Sequence, residues 1–234
     1  MNAKDIYQLL DLTCLKDEVE AADILKLVAE GKDKQVAALC VWPKNLGDIP
    51  NDCQIQKATV VNFPGGKQSL AEVLKDINTI LKNFPQTEID YVFPYTSYLH
   101  GEEDQAIAHC QAIVDFCHQR HTRVKVIMET AAFPNAPLIF KTACQILKTN
   151  CDFLKTSTGK IAIGATPHAI AAICDAINEN HSNCGIKVSG GIKNLKQARE
   201  YLTLIQTKLN LTLSPEHIRL GCSQLADTNN ESNY

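Results

Sequence analysis

Short apolar runs rich in Val, Ile and Phe alternate along this chain with longer stretches whose apolar positions recur at helical spacing. The runs Leu9–Thr13, Val36–Trp42, Ala58–Phe63, Glu88–Phe93, Arg123–Glu129, Cys151–Thr156, Gly185–Ser189 and Ile218–Cys222 predict eight strands. The first is the weakest of them, because it is short and follows directly on a terminal helical turn. The spacing predicts a helix over Asp17–Glu30, with Ala22, Leu25, Val28 and Ala29 on its apolar face. A second covers Ser69–Asn83, where Ser69 followed three residues later by Glu72 forms a capping box. Thr166-Pro167 opens a third, with Thr as N-cap and Pro in the first turn, and Asn194 caps a fourth over Leu195–Leu209.

Strands alternating with helices at intervals of roughly 20–35 residues predict a single-domain α/β fold, a (β/α)8 TIM barrel, a fold that usually takes about 250 residues. A doubly wound open sheet is the alternative. It would carry a glycine fingerprint after the first strand, and this chain has none. Gly65–Ser69 (GGKQS) lacks the first glycine of a phosphate-binding P-loop and reads as a strand-to-helix turn. The barrel is expected over residues 1–226, with Asp227–Tyr234 a polar, mobile tail.

Composition narrows the function classes. Of 234 residues 45% are apolar and 21% charged, which excludes a disordered chain. A formal charge of −3 leaves no basic stripe for nucleic acid, and no apolar run is long enough to span a membrane. Ten cysteines without a C-x-x-C pair or a signal segment read as reduced thiols in a cytoplasmic protein. His109, Cys110, Cys117, His118 and His121 are the nearest thing to a metal cluster. Their spacing matches no zinc pattern, and Cys110 and Cys117, seven apart, share a helix face as small hydrophobes, so neither metal nor cofactor is expected. Apolar helix faces cover the outside of monomeric and dimeric barrels alike, so a homodimer stays open.

The chemistry gathers at the strands' C-terminal ends, where barrels of this kind keep their sites. Asp11, Asp90, Lys125, Lys155 and Lys187 all fall within otherwise apolar strands. A lysine there is costly unless it is paired or held neutral. Lys155 and Lys187 lie on neighbouring strands about 4.8 Å apart, and like charge plus burial favours a neutral amine. Such an amine attacks carbonyls, with Asp90 as its proton partner, which is Schiff-base chemistry. The loops that follow these strands contain Gly159 and Lys160, then Gly190 and Gly191, then Ser223. Glycine-rich turns at that rim cradle phosphate, which points to a phosphorylated aldehyde or ketose.

The strings DLTCLK, LCVWP, TVVNFPGG, EIDYVFPY, VKVIMETA, DFLKTSTGK, KVSGGIK and RLGCS occur in this order from Asp11 to Ser223. Together they resemble the deoxyribose-phosphate aldolase family. The resemblance implies a metal-independent class I aldolase that interconverts 2-deoxy-D-ribose 5-phosphate with D-glyceraldehyde 3-phosphate and acetaldehyde, in deoxyribonucleoside catabolism. It places the imine on Lys155, a cationic proton relay on Lys187 and the proton donor and acceptor on Asp90. Phosphate contacts fall on Gly159, Lys160, Gly190, Gly191 and Ser223, and the polar lining on Asp11, Thr13, Cys40 and Lys125. Gln224 stands where some relatives have a second serine. A terminal tyrosine reaches the site in some relatives, which makes Tyr234 a candidate proton carrier. Cys40, near the expected acetaldehyde end, is a candidate for alkylation by unsaturated aldehydes. Two rivals remain at this stage, another Schiff-base barrel aldolase or transaldolase and a non-catalytic phosphate-sensing barrel.

Overall fold

A computed structural model of the chain describes residues 1–226. The expected tail Asp227–Tyr234, and with it Tyr234, lies outside the described residues. Eight parallel strands close into one barrel in chain order: β1 Leu10–Cys14, β2 Ala38–Val41, β3 Gln56–Val61, β4 Glu88–Val92, β5 Val124–Ile127, β6 Phe153–Lys155, β7 Gly185–Ser189 and β8 Ile218–Cys222. All eight predicted strands form, within a few residues of the expected bounds. The helices are α1 Ala3–Tyr7, α2 Ala21–Lys34, α3 Leu70–Asn83, α4 Tyr95–Leu99, α5 Glu103–His118, α6 Ala136–Leu147, α7 Pro167–Glu179 and α8 Leu195–Leu209. A 3-10 helix at Pro43–Asp48 makes the crossover between β2 and β3. Among the described residues no helix is long and apolar enough to cross a membrane.

The caps follow local chemistry. Ser69 and Glu72 close the expected capping box on α3, and the side chains of Thr166 and Asn194 accept the Ala169 and Gln197 amides at the starts of α7 and α8. The expected face of α2 holds at Val28 alone. The helix begins at Ala21, behind a capping box of Glu20 and Asp23, and buries Ile24, Leu27, Val28 and Gly31. Ala22 and Ala29 are exposed, as is Leu25. The spacing i, i+3, i+4, i+7 runs through Ile24, Leu27, Val28 and Gly31, and Ala22, Leu25 and Ala29 lie beside it.

Strand periodicity sorts the side chains into two layers. One set of positions packs outward against the helices, among them Leu12, Leu39, Tyr91, Val126, Leu154, Ile186, Val188 and Leu220, all buried. Cys110 and Cys117 on α5 join that layer. His109 pairs with the Tyr91 hydroxyl at 2.6 Å and His118 with Asp152 at 2.9 Å. The alternate positions face the barrel interior, and these carry the chemistry.

Candidate active site

The strand register brings the key residues together. Lys155 stands opposite Lys187 across β6 and β7, and Asp90 opposite Lys125 across β4 and β5. Barrel closure then unites residues from distant strands. Lys155 and Lys187 each donate from Nζ to the same oxygen, Asp90 Oδ2, at 2.7 Å. Lys187 donates also to Asp11 Oδ2 at 2.5 Å, and Lys125 to Asp90 Oδ1 at 3.0 Å. The expected constellation is a single contiguous cluster. The side chains of Asp11, Asp90, Lys125 and Lys187 are 0% exposed and that of Lys155 is 4% exposed.

Two members of the cluster were absent from the sequence reading. Glu88 accepts an ion pair from Lys125 at 2.6 Å. Arg219 donates to Asp11 Oδ1 at 2.7 Å and lies 3.3 Å from Glu88 Oε1. Each sits at the entrance of its strand, where a polar residue reads as a boundary. Their signal is the two-residue step, since Glu88 shares the face of Asp90 and Arg219 that of Gly221.

The interior charges balance. Asp11, Glu88 and Asp90 supply three carboxylates, and Lys125, Lys187 and Arg219 three cations. Arg123 approaches Glu88 at 3.6 Å from the solvent side, where water screens it. Lys155 is the surplus amine, and protonating it would leave a net positive charge in a buried space. Burial, joined by the neighbouring Lys187 ammonium, holds the Lys155 pKa below the ordinary lysine value against the pull of Asp90. Burial opposes charge on Lys187 too, but Asp11 and Asp90 outweigh it and raise its pKa. Burial likewise opposes charge on Asp90 and Asp11, yet the surrounding cations hold both carboxyls below the usual range. The amines therefore diverge, Lys187 as the cation and Lys155 as the weaker base.

Above this layer opens a cavity of about 300 Å³, lined by Thr13, Lys155, Gly159, Lys160, Gly190, Gly191 and Ser223 among others. Of the residues expected to line the site, Thr13 reaches the cavity, while Asp11 and Lys125 lie beneath it in the charged layer. Cys40 is buried with Ala38, Ala58 and Val60 in a small apolar cluster. Burial raises its thiol pKa. Lys16, missed in the sequence because it follows a strand end in a polar turn, also lines the cavity.

The rim has the character of an anion site. Among the described residues the amides of Gly159, Gly190 and Gly191 donate to no protein acceptor. Gly190 adopts φ +85, and a Cβ there would meet Gly164 Cα at 2.9 Å, so both conformation and space require glycine. Lys160 is held across the mouth, with Nζ 3.3 Å from Asp17 and over the Trp42 ring. At β8, a Cβ on Gly221 would crowd Lys187 Cε at 3.0 Å, so this glycine makes room for the lysine stem. Among the described residues no group of three or more His, Cys, Asp or Glu is placed to hold a metal.

A parallel barrel with a buried amine cluster beneath a glycine-rimmed cavity defines the class as a barrel aldolase, a carbon–carbon lyase. The chain belongs to the DeoC/LacD aldolase family, whose family model matches residues 6–209. It is 32% identical over 226 residues to the deoxyribose-phosphate aldolase of Agrobacterium fabrum, covering 94% of this chain and 86% of that protein. Two solved structures share the fold at 22% identity. One is the aldolase QR15, with a TM-score of 0.80 over 94% of this chain and 92% of that one. The other is the tetrameric deoxyribose phosphate aldolase of Aeropyrum pernix, with a TM-score of 0.77 over 95% and 88%.

Proposed function

We propose that this protein is a class I deoxyribose-phosphate aldolase, with Lys155 as the nucleophile. The surplus of one amine over the carboxylates in the buried cluster carries this reading, because it singles out Lys155 as the amine that gives up its proton most readily, its pKa held below the ordinary lysine value by burial and the Lys187 ammonium. In the cleavage direction the Lys155 amine adds to the C1 aldehyde of open-chain 2-deoxyribose 5-phosphate, and loss of water gives an iminium. The C3 hydroxyl proton leaves through a water to the Asp90–Lys187 pair. The C2–C3 bond breaks, C3 becomes the aldehyde carbon of glyceraldehyde 3-phosphate, and the electron pair enters an enamine on C1 and C2. Protonation at C2 and hydrolysis release acetaldehyde and restore Lys155. Asp90, depressed by the cations around it, holds a proton only in passing.

The free glycine amides, Lys160 and Ser223 take the phosphate and use its binding energy to place the reacting bond over Lys155. Acetaldehyde and a phosphorylated aldehyde are the small-molecule partners, and the chemistry calls on no cofactor. An assay of both donors tests the reading. Acetaldehyde with glyceraldehyde 3-phosphate should yield deoxyribose 5-phosphate, and dihydroxyacetone phosphate should yield nothing. Preference for the ketone donor, or no condensation with either, would overturn it.

A further inference from the structure

Glu129 is a buried carboxyl beside the site, in no ion pair with the charged cluster among the described residues, that the aldol steps leave unused. It stands two residues beyond β5, 0% exposed, with φ 55, a left-handed conformation that non-glycine residues seldom adopt. Its side chain turns to the exit of β6. The Thr158 amide lies 3.3 Å from both Glu129 carboxyl oxygens, and the Thr158 hydroxyl makes a short hydrogen bond to Oε2. Thr158 Oγ1 in turn accepts the Lys160 amide at 3.1 Å. The backbones of the two exits are also tied, Met128 N to Lys155 O at 2.9 Å and Thr130 N to Thr156 O at 2.8 Å.

These bonds build the turn that carries the rim. Thr158, Gly159 and Lys160 all line the cavity. With the Lys160 amide taken by Thr158 Oγ1, the Gly159 amide is the turn's donor toward an anion, beside the Lys160 side chain that reaches across the mouth to Asp17. Thr158 is buried, so a missing Glu129 would leave its N–H and hydroxyl without an acceptor, and the turn would have to refold to satisfy them. Lys155 does not depend on the same contact, since the strand ladder and Asp90 hold it.

We propose that Glu129 is a positioning residue for phosphate: through Thr158 it sets the shape of the Thr158–Lys160 turn, and so the preference for phosphorylated over non-phosphorylated substrates. The inference rests on the aldolase reading and deepens it. It separates two sides of the site, the amine that does the chemistry and the turn that grips the far end.

The test uses the full chain with Glu129→Gln and Glu129→Ala. For each, kcat and KM are measured on 2-deoxyribose 5-phosphate and on 2-deoxyribose, and inorganic phosphate binding is measured by calorimetry on the resting protein. Glu129→Ala should raise KM for the phosphorylated substrate and weaken phosphate binding by about tenfold, the scale of one lost charge-assisted hydrogen bond. Its kcat/KM on 2-deoxyribose, which carries no phosphate for the turn to grip, should stay within about twofold of the parent. Glu129→Gln keeps an acceptor oxygen and should fall between parent and alanine variant. Equal losses on both substrates, or unchanged phosphate binding, would overturn the proposal. If both variants unfold, Thr158→Val, which deletes the hydroxyl donor at constant volume, must show the same split. Calorimetry needs no turnover, so a parent protein without aldolase activity would sink the parent reading and still leave this one testable.

Discussion

The two arcs of the barrel interior obey the same alternation and hold opposite chemistry. Strands β2 and β3 present Ala38, Cys40, Ala58 and Val60, a small apolar wall. Strands β4 to β8 and β1 present Glu88, Asp90, Lys125, Lys155, Lys187, Arg219 and Asp11, one ionic cluster. An eight-stranded barrel is just wide enough to be filled by side chains, so short residues on one arc accompany long ones on the other. The apolar wall carries no charge, its one thiol being held protonated by burial, and the ionic arc supplies the charged acid–base groups. The contrast teaches that the fold provides alternation and closure, and the choice of inward residues on each arc provides the reaction.

Converting ionic positions to apolar ones breaks the contrast most severely. Lys155→Leu should abolish turnover, a loss of at least roughly 10⁴-fold for a covalent nucleophile. A variant that keeps most of its rate would refute the assignment. Lys187→Leu should lower kcat by about 10²–10⁴-fold, the range of a lost acid–base partner. The sign of its pH effect follows from the charge balance. Lys155 must be neutral to attack, so the parent rate rises as pH climbs through the lowered Lys155 pKa. Without Lys187 the repulsion is gone and Asp90 is less compensated, so Lys155 holds its proton more tightly and this rise should move to higher pH.

Arg219→Met leaves Asp11 and Glu88 short of one cation. Stripping one partner from a buried ionic network costs about 3–5 kcal/mol, which urea unfolding would read. The Asp11 carboxyl, depressed in the native protein, contributes stability that is present above the unfolded value and lost as pH falls through the native one. Losing Arg219 shrinks that depression, so acid unfolding should also begin at higher pH. The smallest effect is expected on the apolar arc. Cys40→Ala, which only shortens an already small side chain, should leave turnover within a few fold and should slow inactivation by crotonaldehyde. Burial keeps the Cys40 thiol protonated, so even the parent should inactivate slowly. Equal inactivation of parent and variant would place the sensitivity elsewhere.

Much of this arrangement was legible in the chain. Lysines 125, 155 and 187 stand out because an ammonium in a Val- and Ile-rich strand demands a reason, and the two-residue period points them inward. The capping residues of α3, α7 and α8 were readable because caps are local. Glu88, Arg219 and Glu129 escaped because each lies at a strand boundary, where polar residues are ordinary. Their importance comes from partners 29 to 208 residues away, which strand pairing and barrel closure bring within reach. The burial of α2 was misjudged because large apolar residues stand on both sides of the helix, Ile24 buried and Leu25 exposed, and alanine serves either side equally well.

Reductive trapping tests the central claim most directly. The protein is incubated with acetaldehyde and sodium borohydride, digested, and its lysines mapped by mass spectrometry. The charge balance of the cluster predicts one ethyl group on Lys155, with Lys187 unmodified. An adduct on Lys187, or none on either amine, would contradict it.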